Sequence, residues 1–541
     1  MHRWRFQRLF RWLVPSLALV VSLCALVIEQ KASGGGLSFV QDTAYANLAV
    51  ARTLADDGVY GYQPNEPIPV VKDSLWRLLL ALVGGLAGDY VAMAYVFGAL
   101  SALITLLLCL RMARLLFPFP PFMLYSSILL IVAPSLLTDA LSGASTALAT
   151  ALVTAACLLH IEGLSERRSP LPMSSAILVG LLMWIRLEFA LLWLVFWLHA
   201  VVFSFFRNRN ENPVLFVMTK GLAGLMILAL CFVPVMAWNF RVVRVPWPQT
   251  LGAPFAADAW ASSPPVKVLK SYLSLSLSTM PRAFGVLYGT SFLAGLLERA
   301  MAWFGALFIA GLALWRAEER PYTVVLFLLV LLPILYAFVY PFMGWASAPV
   351  LFTTLGPLCV LSASFGIFRI PFLVESLYRK WKQGLPAASG FSAWWIAAGS
   401  ILLVVCLLRS GAAMQRRAAE FSAKAGARAA VAGALESGSV EGRSAVTDLP
   451  GWLAYERRMC VIDLNGEATP DLLACLDSKG RLDRWELEKL LQARKPDALV
   501  LGEPRNEFLL SLVPCEPVPL EGIGGNEAWP RVCALNWADA R

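Results

Sequence analysis

The sequence predicts a mainly α-helical polytopic membrane protein, with about eleven transmembrane helices followed by a small C-terminal α/β domain. Three observations lead there. Of 541 residues, 58% are hydrophobic, only 15% are charged, and the mean hydropathy is +0.66. A soluble chain of this size carries about a quarter charged residues. Apolar runs of bilayer-spanning length recur as far as residue 408. Beyond it, short strand candidates alternate with helix candidates.

The chain opens on MHRWRFQRLFRW, and an apolar run from Leu13 to Ile28 follows. The length of that run favours an uncleaved signal anchor, although Ala32-Ser33-Gly34 leaves a cleavage site open. Further runs lie near 91–110, 119–136, 142–161, 171–185, 189–206, 221–237, 296–315, 322–340, 348–368 and 393–408. The run Leu75–Leu86 is short, carries Arg77 and the pair Gly84-Gly85, and reads as an interfacial or re-entrant helix.

Loop charges set the topology. Arg3, Arg5, Arg8 and Arg11 place the N-terminus in the cytoplasm. The inside loops then hold Arg111 and Arg114, Arg167 and Arg168, Arg207, Arg209 and Lys220, Arg316 and Arg320, and Arg369, Arg379, Lys380 and Lys382. The connections around Asp139 and Gly344 hold no Lys or Arg, whereas Arg241 and Arg244 fall outside, against the rule. The net charge of +9 is spent on topology and does not read as nucleic-acid binding. An odd number of spans puts loops 30–90 and 238–295 and the tail on the outer side. The division is a membrane domain over 1–409 and an extracytoplasmic α/β domain over 410–541.

In the tail, residues 411–437 read as helix, 443–448, 459–464 and 498–502 as strands, and Leu487–Arg494 as helix. Cys460, Cys475, Cys515 and Cys533 lie there. Four cysteines in an exported domain allow three disulfide connectivities, and free thiols remain an equal alternative.

The outer loops carry the unusual polar residues. Asp42 precedes a helix candidate, Thr43–Asp57, with Leu48 and Leu54 toward one face. That helix ends at Asp56-Asp57-Gly58, and a turn-rich stretch, Tyr60–Pro67, follows. Asp42 is placed to be the helix N-cap, a role compatible with a reacting carboxylate. Thr138-Asp139 precedes Leu141–Thr146 at the start of a span, where Asp139 reads as another cap or as a site residue. Arg186 and Glu188 separate two apolar runs, as a salt bridge at the interface or as part of a site. Trp247-Pro248-Gln249-Thr250 opens a loop that holds Lys267, Lys270 and Arg282, cations that are otherwise simply solvated.

Histidine contributes little. His2 is terminal, His160 lies on the inner side and His199 lies within a span. Outer-face chemistry therefore has carboxylates, Arg and Lys to work with, which suits acid/base work on a hydroxyl and phosphate recognition. The chain has no CxxC, zinc-ligand spacing or phosphate loop. Asp42 and a distant Asp139 make a poor hard-cation site, so no metal or cofactor is expected.

The order of motifs resembles the GT-C glycosyltransferases, which take sugars from polyprenyl-phosphate carriers. The subset in question includes the terminal arabinofuranosyltransferase of mycobacterial walls and its bacterial relatives. Its acidic pair with Ala-Tyr, helix-ending Gly, Tyr-Asn-Pro-Gly-Glu-Pro-like turn and Leu-Trp are matched by Gln41-Asp42-Thr43-Ala44-Tyr45, Gly58, Tyr62–Pro67 and Leu75-Trp76. Ser142-Gly143-Ala144-Ser145-Thr146 matches its Ser-Gly-x-Glu-Thr, Arg186-Leu187-Glu188 its Arg-Pro-Glu, and Pro248-Gln249-Thr250 its Pro-Asn-Thr. In the tail, Asp448, Gly451, Ala454-Tyr455 and Val461-Ile462-Asp463-Leu464 match an Asp…Gly…Ala-Tyr segment followed by a strand. The chain departs from the pattern at Gln41, at Ser145 and at Trp345-Ala346-Ser347, where relatives often carry Arg-Tyr.

The resemblance implies a GT-C fold and an inverting sugar transfer with Asp42 as general base. It implies a polyprenyl-phosphate sugar donor and a glycan, lipid or protein acceptor. It also implies a multi-pass protein of the bacterial inner membrane, with the tail in the periplasm. For the donor phosphate, Arg186 offers a two-pronged guanidinium, and Lys72, Lys267, Lys270 and Arg282 are further choices. Asp139 or Glu188 would orient the acceptor, Tyr45 of the Ala-Tyr element would line the substrate site, and the polyprenyl tail would lie among the helices and membrane lipids. Two other classes fit less of the chain. A flippase of lipid-linked glycan predicts mid-membrane charge, which the spans almost lack. A glycan-binding member without catalysis is suggested by Gln41 and Ser145.

Overall fold

The computed structural model describes chiefly residues 37–70, 72–116, 120–131, 134–165, 171–207, 213–244, 444–464, 469–475, 483–502, 504–513, 515–518 and 530–535, with scattered positions within 16–31, 323–364 and 411–436. The basic start through Arg11, Pro248-Gln249-Thr250, Lys267, Lys270, Arg282, the runs 296–315 and 393–408, and Trp345-Ala346-Ser347 lie outside the described residues.

Helix α1 is Asp42–Asp57, one residue longer than expected, and it ends at Gly58. Gly58 is left-handed (φ 70°) and its N–H returns to Leu54 O at 3.2 Å, the stop that a Cβ-free residue permits. The helix was expected to have one apolar face. Instead every residue from Ala44 to Ala51 is buried, because α1 is covered on two sides. Helix α2 (Ser74–Ala87) lies against one side and a helix of the tail against the other. The small side chains of Ala44, Ala46, Ala49 and Ala51 permit that close double packing. Leu48 and Leu80, fully buried, contribute about 1.5–3 kcal/mol each.

At 14 residues, α2 is shorter than a membrane span. Its Arg77 is buried, with Nε donating to Asn47 Oδ1 at 2.8 Å and Nη1 to the Tyr60 hydroxyl at 3.2 Å. A charge satisfied by α1 and the following turn keeps α2 among these segments. The stretch ahead of α2 is pinned from elsewhere. Trp238 Nε1 donates to Ile68 O at 2.9 Å, and the Asn239 amide meets Val70 N and O at 2.6 and 2.9 Å.

The next elements are α3 (Tyr90–Leu116), α4 (Pro120–Ile131), α5 (Pro134–Ala140), α6 (Thr146–Ser165), α7 (Met173–Met183), α8 (Ala190–Arg207) and α9 (Pro213–Val243). Among the described residues, four stretches are long and apolar enough to cross a membrane: Tyr90–Leu115, Thr146–Leu164, Leu187–Ser204 and Val217–Val243. The expected run 119–136 is divided between α4 and α5. The expected 171–185 is helical only over the 11 residues of α7. The run expected from 142 starts at Thr146, because Ser142 and Gly143 form a turn. There the Ser142 hydroxyl donates to Asp139 O at 2.8 Å, and Gly143 has φ +68°. Within the bundle, Gly221 and Gly224 sit directly under Trp197 and Trp193, and Trp193 Nε1 donates to Gly221 O at 3.1 Å. Small residues under large ones are how helices in lipid gain contact area. Leu215, Met218, Leu222, Met226 and Leu230 form an exposed stripe along α9 at helical spacing, a face suited to acyl chains.

The tail holds a five-stranded sheet in the order β2-β1-β3-β5-β4. The strands are β1 (Ser444–Thr447), β2 (Cys460–Asp463), β3 (Ala498–Leu501), β4 (Cys515–Val518) and β5 (Arg531–Leu535). β1 pairs in parallel with β2 and β3, with Val446 opposite Ile462 and Leu499, and β5 is antiparallel to β3 and β4. The three expected strands form the parallel half, whose buried residues give the sequence its apolar runs. β4 carries Glu516 and Pro517 and lies at the sheet edge, where proline is tolerated. A Cys515–Cys533 disulfide ties β4 to β5, while Cys460 and Cys475 are free. Helix α10 (Pro450–Glu456) follows β1, and α11 (Arg484–Arg494) starts at Asp483, whose carboxylate accepts Trp485 N–H at 2.9 Å.

Candidate active site

Asp42 is the first residue of α1, and Gln41 occupies the N-cap position with no side-chain cap bond. The expected cap role is therefore corrected: the carboxylate turns outward to a different helix. Its two oxygens accept the backbone N–H groups of Gly451 and Trp452, at 2.9 and 2.8 Å. These belong to the first turn of α10, whose N–H groups lack partners of their own. Burial raises the Asp42 pKa to about 6, outweighing the opposing hydrogen bonds from Trp452 and Gly451 and the positive charge of Arg428. Asp448 adds a small upward push. The side chain is nevertheless partly exposed.

Arg428 comes from the helical stretch 411–436. It donates to the carbonyls of Phe39 and Val40, the latter at 3.0 Å, and covers the Tyr45 ring with its guanidinium 4.8 Å from the centroid. Tyr45 is itself buried, and its hydroxyl accepts Phe39 N–H at 3.1 Å. It thus shapes the approach to α1 beneath Arg428.

A second group of polar residues meets around Asp73, which the sequence reading passed over. Asp73 is buried, adopts a left-handed backbone (φ 60°) and accepts the Ser145 hydroxyl. Its N–H donates to Ile185 O at 2.8 Å, and Ser74 and Leu75 both donate to Trp184 O. These bonds bring Lys72 to the loop that carries Arg186. Partly buried Arg186 and buried Glu188 form an ion pair, Nη1 to Oε1 at 3.7 Å, and Glu188 sits in the one-turn helix Leu187–Phe189. Non-glycine residues at positive φ are held there by surrounding contacts and cluster at functional sites.

Asp139 is placed at the end of α5 and does not cap α6. Burial raises its pKa to about 7, partly offset by Arg417. Arg417 and Arg428 lie 11 residues apart in the 411–436 stretch, about three helical turns, and so share a face.

The turn at 142–145 joins the two groups. Gly143 O accepts Trp76 Nε1 at 3.0 Å, a Cβ on Gly143 would lie 2.6 Å from the Phe39 ring, and Ser145 reaches Asp73. The structure thus assembles Asp42 and Tyr45 with Arg428, and Lys72, Arg186 and Glu188 with Asp73. Arg428 has no local signature, standing among many Ala, Lys and Arg. Asp73 did have one: an acid just ahead of an apolar helix start. Among the described residues, no three of His, Cys, Asp and Glu stand together as a metal site.

The chain is similar over nearly its whole length to two crystal structures of ArnT from Cupriavidus metallidurans. The apo structure is 13% identical, with a TM-score of 0.53 over 98% of this chain and 98% of that chain. The structure bound to undecaprenyl phosphate is 14% identical, with a TM-score of 0.54 over 97% and 98%. The archaeal oligosaccharyltransferase AglB from Archaeoglobus fulgidus, in complex with an inhibitory peptide and a dolichol-phosphate, has a TM-score of 0.49 at 13% identity, over 91% of this chain and 70% of that chain. No family model and no curated protein matches the chain. The chain thus shares its fold with the ArnT structures over nearly the whole length of both chains.

Proposed function

We propose that the protein is an inverting membrane glycosyltransferase, moving a sugar from a polyprenyl-phosphate donor to an extracytoplasmic glycan, lipid or protein acceptor. Asp42 is the general base. It takes the proton of the acceptor hydroxyl while that oxygen bonds to the anomeric carbon. The bond from that carbon to the phosphate oxygen breaks, and polyprenyl phosphate leaves with the electron pair. No redox change and no covalent enzyme intermediate are involved. Lys72 precedes Asp73 in the chain, and the Asp73 N–H donates to Ile185 O beside Arg186, so these two cations are proposed to hold the phosphate. Lys267, Lys270 and Arg282 retain that role as sequence-based candidates. Glu188 and Asp139 are proposed to orient substrate, and Tyr45 to shape the site from beneath.

The observation that carries the reading is Asp42 itself, a partly open carboxylate whose burial sets its pKa at about 6. At neutral pH such a group is ionised yet more basic than an ordinary aspartate, as a base needs. The similarity to ArnT bound to undecaprenyl phosphate supports the donor class. About eleven spans, a cytoplasmic N-terminus, a division near residue 409 and a periplasmic tail in a bacterial inner membrane complete the proposal. The Cys515–Cys533 bridge supports an oxidising compartment for the tail.

The test is Asp42→Asn in the full-length protein reconstituted in nanodiscs. It is given a panel of undecaprenyl-phosphate-linked sugars together with an extract of bacterial envelope lipids and glycans as acceptor, and released undecaprenyl phosphate is measured. Turnover should fall by about 10²–10⁴-fold with insertion intact. Turnover at the parent rate would remove Asp42 as base.

A further inference from the structure

The Asp…Gly…Ala-Tyr segment of the tail has no part in the reaction as described so far, yet each of its members supports α10 or touches α1. Asp448 accepts Gly502 N–H at 2.6 Å and anchors the start of the segment to the sheet. Gly451 lies so near α1 that a Cβ would stand 2.3 Å from Ala46 N and 2.4 Å from Asp42 O. Ala454 and Tyr455 offer their carbonyls to Arg52, at 2.9 and 2.7 Å. Asp42 and Arg52 stand ten residues apart on α1 and hold opposite ends of α10. The acid is at the N–H end and the cation at the carbonyl end, as the peptide dipoles favour. Gln63 Nε2 to Val461 O at 3.3 Å, and Arg494 to Glu66 at 3.0 Å, add further ties between the tail and the first outer loop.

The two N–H groups take one lone pair on each Asp42 oxygen and leave the other. We infer that α10 is a positioning element of the catalytic site: the N–H groups of Gly451 and Trp452 hold the Asp42 carboxylate in the orientation from which it takes the acceptor's proton, so that the site is incomplete without the tail. This rests on the reading of Asp42 as base. The charged groups acting on that carboxylate are Arg428, from the helical stretch 411–436, and Asp448, from the turn before α10. Burial is the largest influence on it. Displacing α10 removes the two hydrogen bonds that lower the Asp42 pKa together with burial that raises it; burial is the larger effect, so the pKa falls from about 6 toward the ordinary 3.8. The result is a weaker and misdirected base.

Gly451→Ala in the full-length protein, assayed with the same donor panel, tests this. The expected result is a fall in kcat of at least about tenfold with KM for the donor little changed. The acid limb of the pH–rate profile should move from near pH 6 toward pH 4. Arg52→Gln loosens the far end of α10 without adding atoms and should shift the limb the same way, with Arg52→Lys restoring part of the rate. Carbodiimide labelling of Asp42 against pH, read by mass spectrometry, follows the same shift without turnover. A rate loss with the limb and the labelling midpoint unmoved, or no change at all, while Asp42→Asn is inactive, overturns the positioning role alone. An active Asp42→Asn variant overturns the base assignment instead.

Discussion

Ser145 donates its hydroxyl to the carboxylate of Asp73 across 72 residues of chain, and both side chains are buried. The resembling family carries Glu where Ser145 stands. Beside Asp73, a Glu would set two carboxylates against each other in a poorly solvated place, whereas a hydroxyl donates to one.

Ser145→Glu should therefore cost the protein stability, on the order of 3–5 kcal/mol, because it takes the hydroxyl donor from buried Asp73 and sets a second carboxylate against it. Adding Asp73→Ser, which exchanges acid and hydroxyl, should recover most of the loss. Yield and apparent Tm in detergent, by tryptophan fluorescence, measure both. Equal loss in the single and double variants would dissolve the pairing argument.

Asp139 carries a pH signature. Its folded-state pKa lies near 7 against an ordinary 3.8, because burial disfavours the ion. Between those values the folded chain holds a proton that the unfolded chain has released, so stability falls as pH rises through that window. Asp139→Asn does not titrate. Its Tm should match that of the parent near pH 4, exceed it increasingly up to about pH 7, and keep a constant lead above. A gap independent of pH would mean that Asp139 is well solvated.

Gly143 is required by both conformation and space. Its φ is +68°, and a Cβ there would lie within 2.8 Å of three atoms of the Phe39 ring. Gly143→Ala should cost about 1–3 kcal/mol and displace Phe39, whose carbonyl receives Arg428. Transfer should fall with it. Thermal unfolding and donor turnover of the variant, compared with those of Gly84→Ala, distinguish this turn from general loosening of the helices.

The Cys515–Cys533 bridge closes a separation of 18 residues between antiparallel neighbours. Alkylation of the denatured protein should reveal two additional thiols only after reduction. Replacing both cysteines by serine should destabilise the tail by about 2–4 kcal/mol. Urea unfolding followed by proteolysis of the tail reads that change.

Hydropathy and period in the sequence alone determined the membrane character, the helices beginning near Asp42, Tyr90 and Ala190, the stop at Gly58 and the strands β1, β2 and β3. Each of these depends on residues adjacent along the chain: an apolar run, a Cβ-free residue after two acids, a short β-branched stretch. Tertiary structure alone decided what Asp42 touches. Its partners lie about 410 residues away and are peptide N–H groups, which every residue but proline possesses and no side chain advertises. The choice of Asp73 for Ser145, of Arg428 for the Phe39 and Val40 carbonyls, and of Cys533 for Cys515 has the same origin. Each pairing follows from which distant surfaces become adjacent once several segments pack, a geometry that local order does not encode.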